Sequence, residues 1–203
     1  MLTFSQIETT LASHLGVKVQ HRDKFRARLK QLQRSGWPTG VNTGGKRPKY
    51  EARQLLELAL VLELLECGVS PERAVRLIEG WWDSVRKAFL QARSNSDEQI
   101  MLGFFQTHFT GLSLQNGEAD IGEPDGGAFI FSVTTDETFE ERANLQQWLS
   151  APRYIAINVT RVLFGLTAGL RDAGAESAFV WAQTEAWRKD RDILGRSLDL
   201  RGN

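Results

Sequence analysis

Residues 4 to 36 read FSQIETTLASHLGVKVQHRDKFRARLKQLQRSG, and the spacing within this stretch decides how the first half of the chain folds. Phe4, Ile7, Leu11 and Leu15 recur at steps of three or four and so share one helical face. Thr3 or Ser5 is available as the N-cap, and Ser5 to Glu8 fits a capping box. Gly16 and Val17 follow at once; glycine tolerates the left-handed conformation that ends a helix, so a turn is predicted there. A second helix is predicted from about Gln20. Phe25, Leu29 and Leu32 form its buried stripe, and Arg22, Lys24, Arg26, Arg28, Lys30 and Arg34 occupy much of the remainder until Gly36 and Pro38 stop it. Helix, glycine turn and basic helix is the order of a helix-turn-helix, in which the second helix lies in the major groove of a duplex.

Outward from this core, Trp37 to Tyr50 reads WPTGVNTGGKRPKY. Gly44-Gly45 suits a tight hairpin turn, and Lys46, Arg47 and Lys49 follow it, which is the composition of a basic wing lying along a phosphate backbone. Glu51 to Glu66 carries ten Ala, Val or Leu residues and is predicted to be a central buried helix. Cys67 and Gly68 end it, Cys67 being expected as a small apolar core residue. Ser70-Pro71 opens another helix, predicted to be continuous through Ala92, in which Val75, Ile78, Trp82, Val85, Phe89 and Ala92 form a seam of coiled-coil spacing. That seam is short enough to serve either intramolecular packing or a dimer contact. Trp81 and Trp82 are expected as core rather than as the lining of a ligand pocket.

The chain of 203 residues is neutral overall, with 25 basic and 25 acidic side chains, but it is polarised. Residues 1 to 50 hold ten Lys or Arg against Glu8 and Asp23, a net of +8, whereas residues from Ser96 onward hold nine against 16 acidic ones, a net of −7. Such asymmetry suggests that the first part faces a polyanion. No apolar run exceeds five residues, as in Leu58 to Leu62, which leaves no transmembrane span of about 20 residues. Met1 to Leu15 lacks the layout of a secretory signal, so a cytoplasmic location is expected. One cysteine and three histidines give no basis for a disulfide or a cysteine-cluster metal site, and no cofactor is expected.

Several of these segments together carry a resemblance. Helix, turn, helix, glycine-bearing basic wing and Tyr50 are followed by a helix ending in Leu65-Glu66-Cys67-Gly68-Val69-Ser70 and by a further one with Ala74-Val75 and Leu77-Ile78. Over about residues 3 to 80 the chain resembles the winged DNA-binding domain of MerR-type transcription regulators. The resemblance implies that the second helix reads bases, the wing holds phosphates, and the helix beyond Ser70 leads toward a dimer interface. The stretch from Gly16 to Gly36 is longer than in that family and contains no tyrosine, so groove contacts do not transfer one by one. The cysteine ligands of metal-responsive members are absent.

Ser94 to Asp97 is polar and is predicted to separate a domain over residues 1–94 from one over 95–203. Met101 to Phe109 is apolar and aromatic, Asn116 to Gly127 is an acidic glycine-rich loop, and Phe129 to Val133 reads as a buried strand. Thr138 with Glu141 opens a predicted helix that uses Phe139, Leu145, Trp148 and Leu149. Tyr154 to Val159 reads either as a second strand before a helix over Thr160 to Asp172 or as the start of a single helix. A last helix is predicted from Ala175 to about Ile193. The fold class expected is mainly α: an N-terminal winged helix-turn-helix with a small α+β C-terminal domain.

No catalytic constellation is legible. Asp136, Glu137, Glu140 and Glu141 sit at a helix start, where carboxylates favour the dipole, and His108 has no visible partner. The chain is therefore expected not to be an enzyme but a sequence-specific, dimeric DNA-binding regulator. Gln20, His21, Arg22, Lys24, Arg26 and Arg28 would enter the major groove of double-stranded DNA, and Lys46, Arg47 and Lys49 would hold the backbone. The acidic half would serve ligand sensing, homodimer formation or contact with another protein. The alternative is a winged-helix protein-interaction module that uses the helix from Glu51 as its partner surface.

Overall fold

The computed structural model describes residues 1–41, 48–94, 98–105, 128–134 and 154–189. In chain order these form β1 (Leu2–Thr3), α1 (Phe4–His14), a 3-10 turn (Val19–His21), α2 (Arg22–Arg34), β2 (Lys49–Tyr50), α3 (Ala52–Glu66), α4 (Pro71–Gly80) and α5 (Trp82–Ser94). A three-stranded sheet follows, β3 (Glu98–Phe105), β4 (Ala128–Thr134) and β5 (Tyr154–Asn158), and then α6 (Val159–Asp172) and α7 (Phe179–Lys189). The described chain is mainly α-helical with a small antiparallel sheet.

Helix α1 starts where the sequence allows, but with a different capping pair. Thr3 Oγ1 accepts from the Gln6 backbone N–H at 3.3 Å, and Gln6 Oε1 accepts from the Thr3 N–H at 2.9 Å, a complete capping box. The Ser5–Glu8 box does not form; Glu8 lies one turn further on and is buried. At the other end Gly16 adopts φ +63°, and the Val17 N–H reaches back to the Ala12 carbonyl at 2.8 Å, closing the helix as expected.

Helix α3 is the centre of the molecule. Ten of its fifteen residues are buried, from Ala52 to Leu64. This overturns its reading as a partner surface: the apolar circumference is covered from within, by α4, α7 and β5. Cys67, at its C-cap, is exposed and not a core residue, because it lies beyond Leu64, the last buried position of the helix.

The helix predicted from Ser70 through Ala92 is two helices. Gly80, a weak helix former, and Trp81 interrupt it. The break lets Ala74, Leu77 and Ile78 pack on α3 while Val85, Ala88 and Phe89 turn onto the sheet, α6 and α7. Ile78, Val85, Phe89 and Ala92 of the expected seam are thus buried within this chain.

The sheet order is β4-β3-β5, all antiparallel, with Leu102 opposite both Ile130 and Ile157. Ile100, Leu102 and Phe104 alternate into the core. On the other face the Phe129 ring lies directly over Gly103, where a Cβ would fall 1.9 Å from it. The strand reading of Tyr154 onward holds, and Asn158 is the N-cap of α6, its Oδ1 accepting from the Arg161 N–H at 2.9 Å.

One hydrophobic core runs from Leu2 to Trp187 across the composition break near residue 95. A close helix–helix joint within it links the two halves. Helix α1 lies on α6 so closely that a Cβ at Gly169 would sit 2.4 Å from the Thr10 carbonyl oxygen, and one at Gly165 would sit 2.2 Å from His14 Nδ1. The first helix of the basic module is therefore anchored on the last third of the chain. The predicted helix over 138–149, the acidic loop at 116–127 and His108 lie outside the described residues.

Candidate nucleic-acid interface

Helix α2 owes its orientation to two buried leucines and two polar ties. Leu29 and Leu32 enter the core, and Phe25 is half-buried beside them. On one flank, Arg26 Nε donates to Glu8 Oε2 of α1 at 2.9 Å, with 7% of the Glu8 side chain exposed against 49% for Arg26. The hydrogen bond and the charge of Glu8 raise the Arg26 pKa above its ordinary value. In the last turn, Gln33 Nε2 donates to the Tyr50 hydroxyl. Tyr50 is almost wholly buried, and that burial pushes its phenol up to about 12. The bond fixes β2 beside α2, and β2 pairs antiparallel with β1, Lys49 opposite Thr3.

This scaffold sorts the predicted contact residues. Gln20 and His21 are exposed, but on the 3-10 turn that precedes α2 rather than on the helix itself. Arg22 is half-buried at the helix start, whereas Lys24 and Arg28 are exposed at i and i+4 on one flank of α2. Arg26 is the exception, since its guanidinium is engaged by Glu8 and lies 4.0 Å from Asp23. Lys49 is exposed on β2. Lys46, Arg47 and the Gly44-Gly45 turn lie outside the described residues.

Lys30 and Arg34 extend the outward basic arc, separated from Lys24 and Arg28 by the exposed Ala27 and Gln31. They were visible in the sequence as part of the charged remainder of the helix; what singles them out is exposure through the last turn. Among the described residues, none of Lys24, Arg28, Lys30 and Arg34 forms an ion pair. A helix with cations on its rim and the small Ala27 among them can approach a polyanion closely, with flexible arms to neutralise it.

The tryptophans serve a different end. Trp82 meets Trp187 edge to face, with centroids 5.8 Å apart, and the Arg53 guanidinium lies over Trp82 at 4.8 Å. Arg86 covers Trp187 at 5.7 Å. Arg53 also donates to Glu57 Oε1 at 2.7 Å, so the cluster ties α3, α5 and α7 together. Burial raises the Glu57 pKa, and Arg53 opposes that shift. Among the described residues no group of three His, Cys, Asp or Glu side chains is placed to hold a metal ion, and no helix is long and apolar enough to cross a membrane. No protein-family model matches the chain, and comparison with curated proteins finds no significant match.

Proposed function

We propose that this protein is a sequence-specific double-stranded DNA-binding regulator of transcription, with α1 and α2 as a helix-turn-helix, the segment leading to Lys49 as a basic wing, and a homodimer as the working form. The observation that carries this reading is the outward face of α2, where Lys24, Arg28, Lys30 and Arg34 are exposed and, among the described residues, without an ion pair, on a helix whose inward face is fixed by Leu29, Leu32 and Gln33. The MerR-type resemblance of residues 3 to 80 supports it from the sequence side. Arg26 takes a modified role: with Nε on Glu8, it holds the two helices in register and offers its remaining N–H groups to a phosphate rather than to a base.

Titration of a labelled random-sequence duplex by fluorescence anisotropy at several salt concentrations tests this. Log affinity should fall linearly with log salt, with a slope of about −0.9 per phosphate neutralised. Absence of binding at 50 mM salt, or binding indifferent to salt, removes duplex recognition from consideration. Selection of bound genomic fragments then supplies the operator sequence.

A further inference from the structure

Leu29, completely buried, sets the inward direction of α2, and the residues around it fall in mirrored pairs. At about 100° per residue, Arg28 and Lys30 lie about 100° to either side of Leu29. Lys24 and Arg34, five residues away in each direction, lie about 140° to either side. Ala27 and Gln31, two residues away, lie about 160° round and form the crest opposite the core. All six are exposed. The outward face is therefore two rows of cations, Lys24 with Arg28 and Lys30 with Arg34, enclosing a neutral strip. Asp23, the one acid of α2, stands in the first turn, 4.0 Å from the Arg26 guanidinium and seven residues before Lys30.

The major groove of a duplex has this layout in the opposite sign. It is about 12 Å wide, admits one helix of about 10–12 Å diameter, and carries a row of phosphates along each wall with base edges on its floor. Cations on the two flanks of a helix meet the walls, and the groups on its crest meet the floor. The crest of α2 is uncharged, yet it holds the two groups that suit an A·T pair. A glutamine carboxamide can accept from adenine N6–H and donate to adenine N7, and an alanine methyl packs against the thymine 5-methyl. Four residues apart, Ala27 and Gln31 are neighbours on one ridge, with Cβ atoms about 5–6 Å apart, the span of about two base-pair steps. Among the described residues the Gln31 amide makes no hydrogen bond, so it is available to a base.

We infer that Ala27 and Gln31 are specificity-determining residues that select A·T pairs, Gln31 by a bidentate bond to adenine and Ala27 by contact with a thymine methyl on the same or a nearby pair. The inference rests on α2 as the duplex-binding helix and adds which bases it chooses and with which side chains. The flanking cations supply affinity for any sequence; the neutral strip supplies the choice.

The test uses the full chain and a randomised duplex pool, from which the parent and the Gln31→Ala variant select in parallel. The parent should enrich an A·T pair that the variant leaves random. On the duplex enriched by the parent, 7-deazaadenine at that position removes only the N7 acceptor. It should weaken the parent about tenfold and leave Gln31→Ala unaffected. Uracil in place of a thymine within about two base pairs removes only the 5-methyl, and should weaken the parent about threefold while leaving Ala27→Gly unaffected. Binding of the unselected pool, with its salt slope, should be the same for parent and Gln31→Ala, because an amide neutralises no phosphate. The same enriched sequence in both selections, an equal loss from 7-deazaadenine in both chains, or a uracil effect that is absent from the parent or survives Ala27→Gly each overturns the inference and leaves duplex binding standing. Failure of the pool to bind at about 50 mM salt removes the duplex reading itself, and this inference with it.

Discussion

Helices α2 and α3 follow one another in the chain and use their surfaces in opposite ways. Of thirteen residues α2 buries Leu29 and Leu32; of fifteen α3 buries ten. The charges differ in the same sense. On α3, Glu57 is 2% exposed and held by Arg53, whereas most cations of α2 face solvent without a carboxylate among the described residues. Exposed charges contribute little to folding, while buried apolar side chains dominate it. Helix α3 therefore accounts for stability, and the outward face of α2 is free to serve an interaction.

The largest test of that contrast is Leu60→Ala. Leu60 is completely buried in α3, and its truncation should cost about 2–5 kcal/mol in urea-induced unfolding, from lost transfer free energy and the cavity left behind. A loss below about 1 kcal/mol, the scale of an average substitution, would remove α3 from the centre of the core.

A second test sits on the same helix and is read by pH. The Glu57 carboxyl titrates above its ordinary value of 4.5 in the folded chain, chiefly because burial disfavours its charge. Between that ordinary value and the raised one, the folded protein keeps a proton that the unfolded chain has released. The contribution of this group to stability is therefore full below the ordinary value and declines as pH rises through the window. Glu57→Gln keeps the acceptor for Arg53 and removes the titration, so the decline of stability as pH rises above about 4.5 should be smaller than in the parent. An unchanged profile would place the charged carboxylate in solvent rather than in the core.

The contrast between the two helices was legible in the sequence because it rests on periodicity and composition. The three-and-four spacing of Phe25, Leu29 and Leu32 gave α2 a narrow stripe, and the near-continuous apolar run from Leu55 to Leu65 gave α3 no polar face. The break at Gly80–Trp81 was not legible, since the seam from Val75 to Ala92 keeps its rhythm across it and only the docking of α5 on the sheet reveals the turn. The joint between α1 and α6 was also hidden. Gly165 and Gly169 are unremarkable in a helix until the backbone of Thr10 and the ring of His14 are found against them. Of the candidate interface, exposure of Lys24, Arg28 and Lys49 follows from the pattern, but the capture of Arg26 by Glu8 depends on how two helices cross, which no local spacing encodes.

The smallest effect on stability belongs to α2, and it discriminates most on function. In the Lys24→Ala, Arg28→Ala double variant two exposed cations, without an ion pair among the described residues, leave a helix that alanine supports well, so stability should stay within about 0.5 kcal/mol of the parent. Duplex affinity should fall, and the slope of log affinity against log salt should become shallower by about 2, one for each lost phosphate contact. Denaturation and salt titration on the same preparation separate the two roles. A matched drop in stability would make these cations structural, and an unchanged slope would mean that a duplex, if bound, meets another face. Either result would dissolve the division of labour between α2 and α3, because the outward arc would then be ordinary solvated surface.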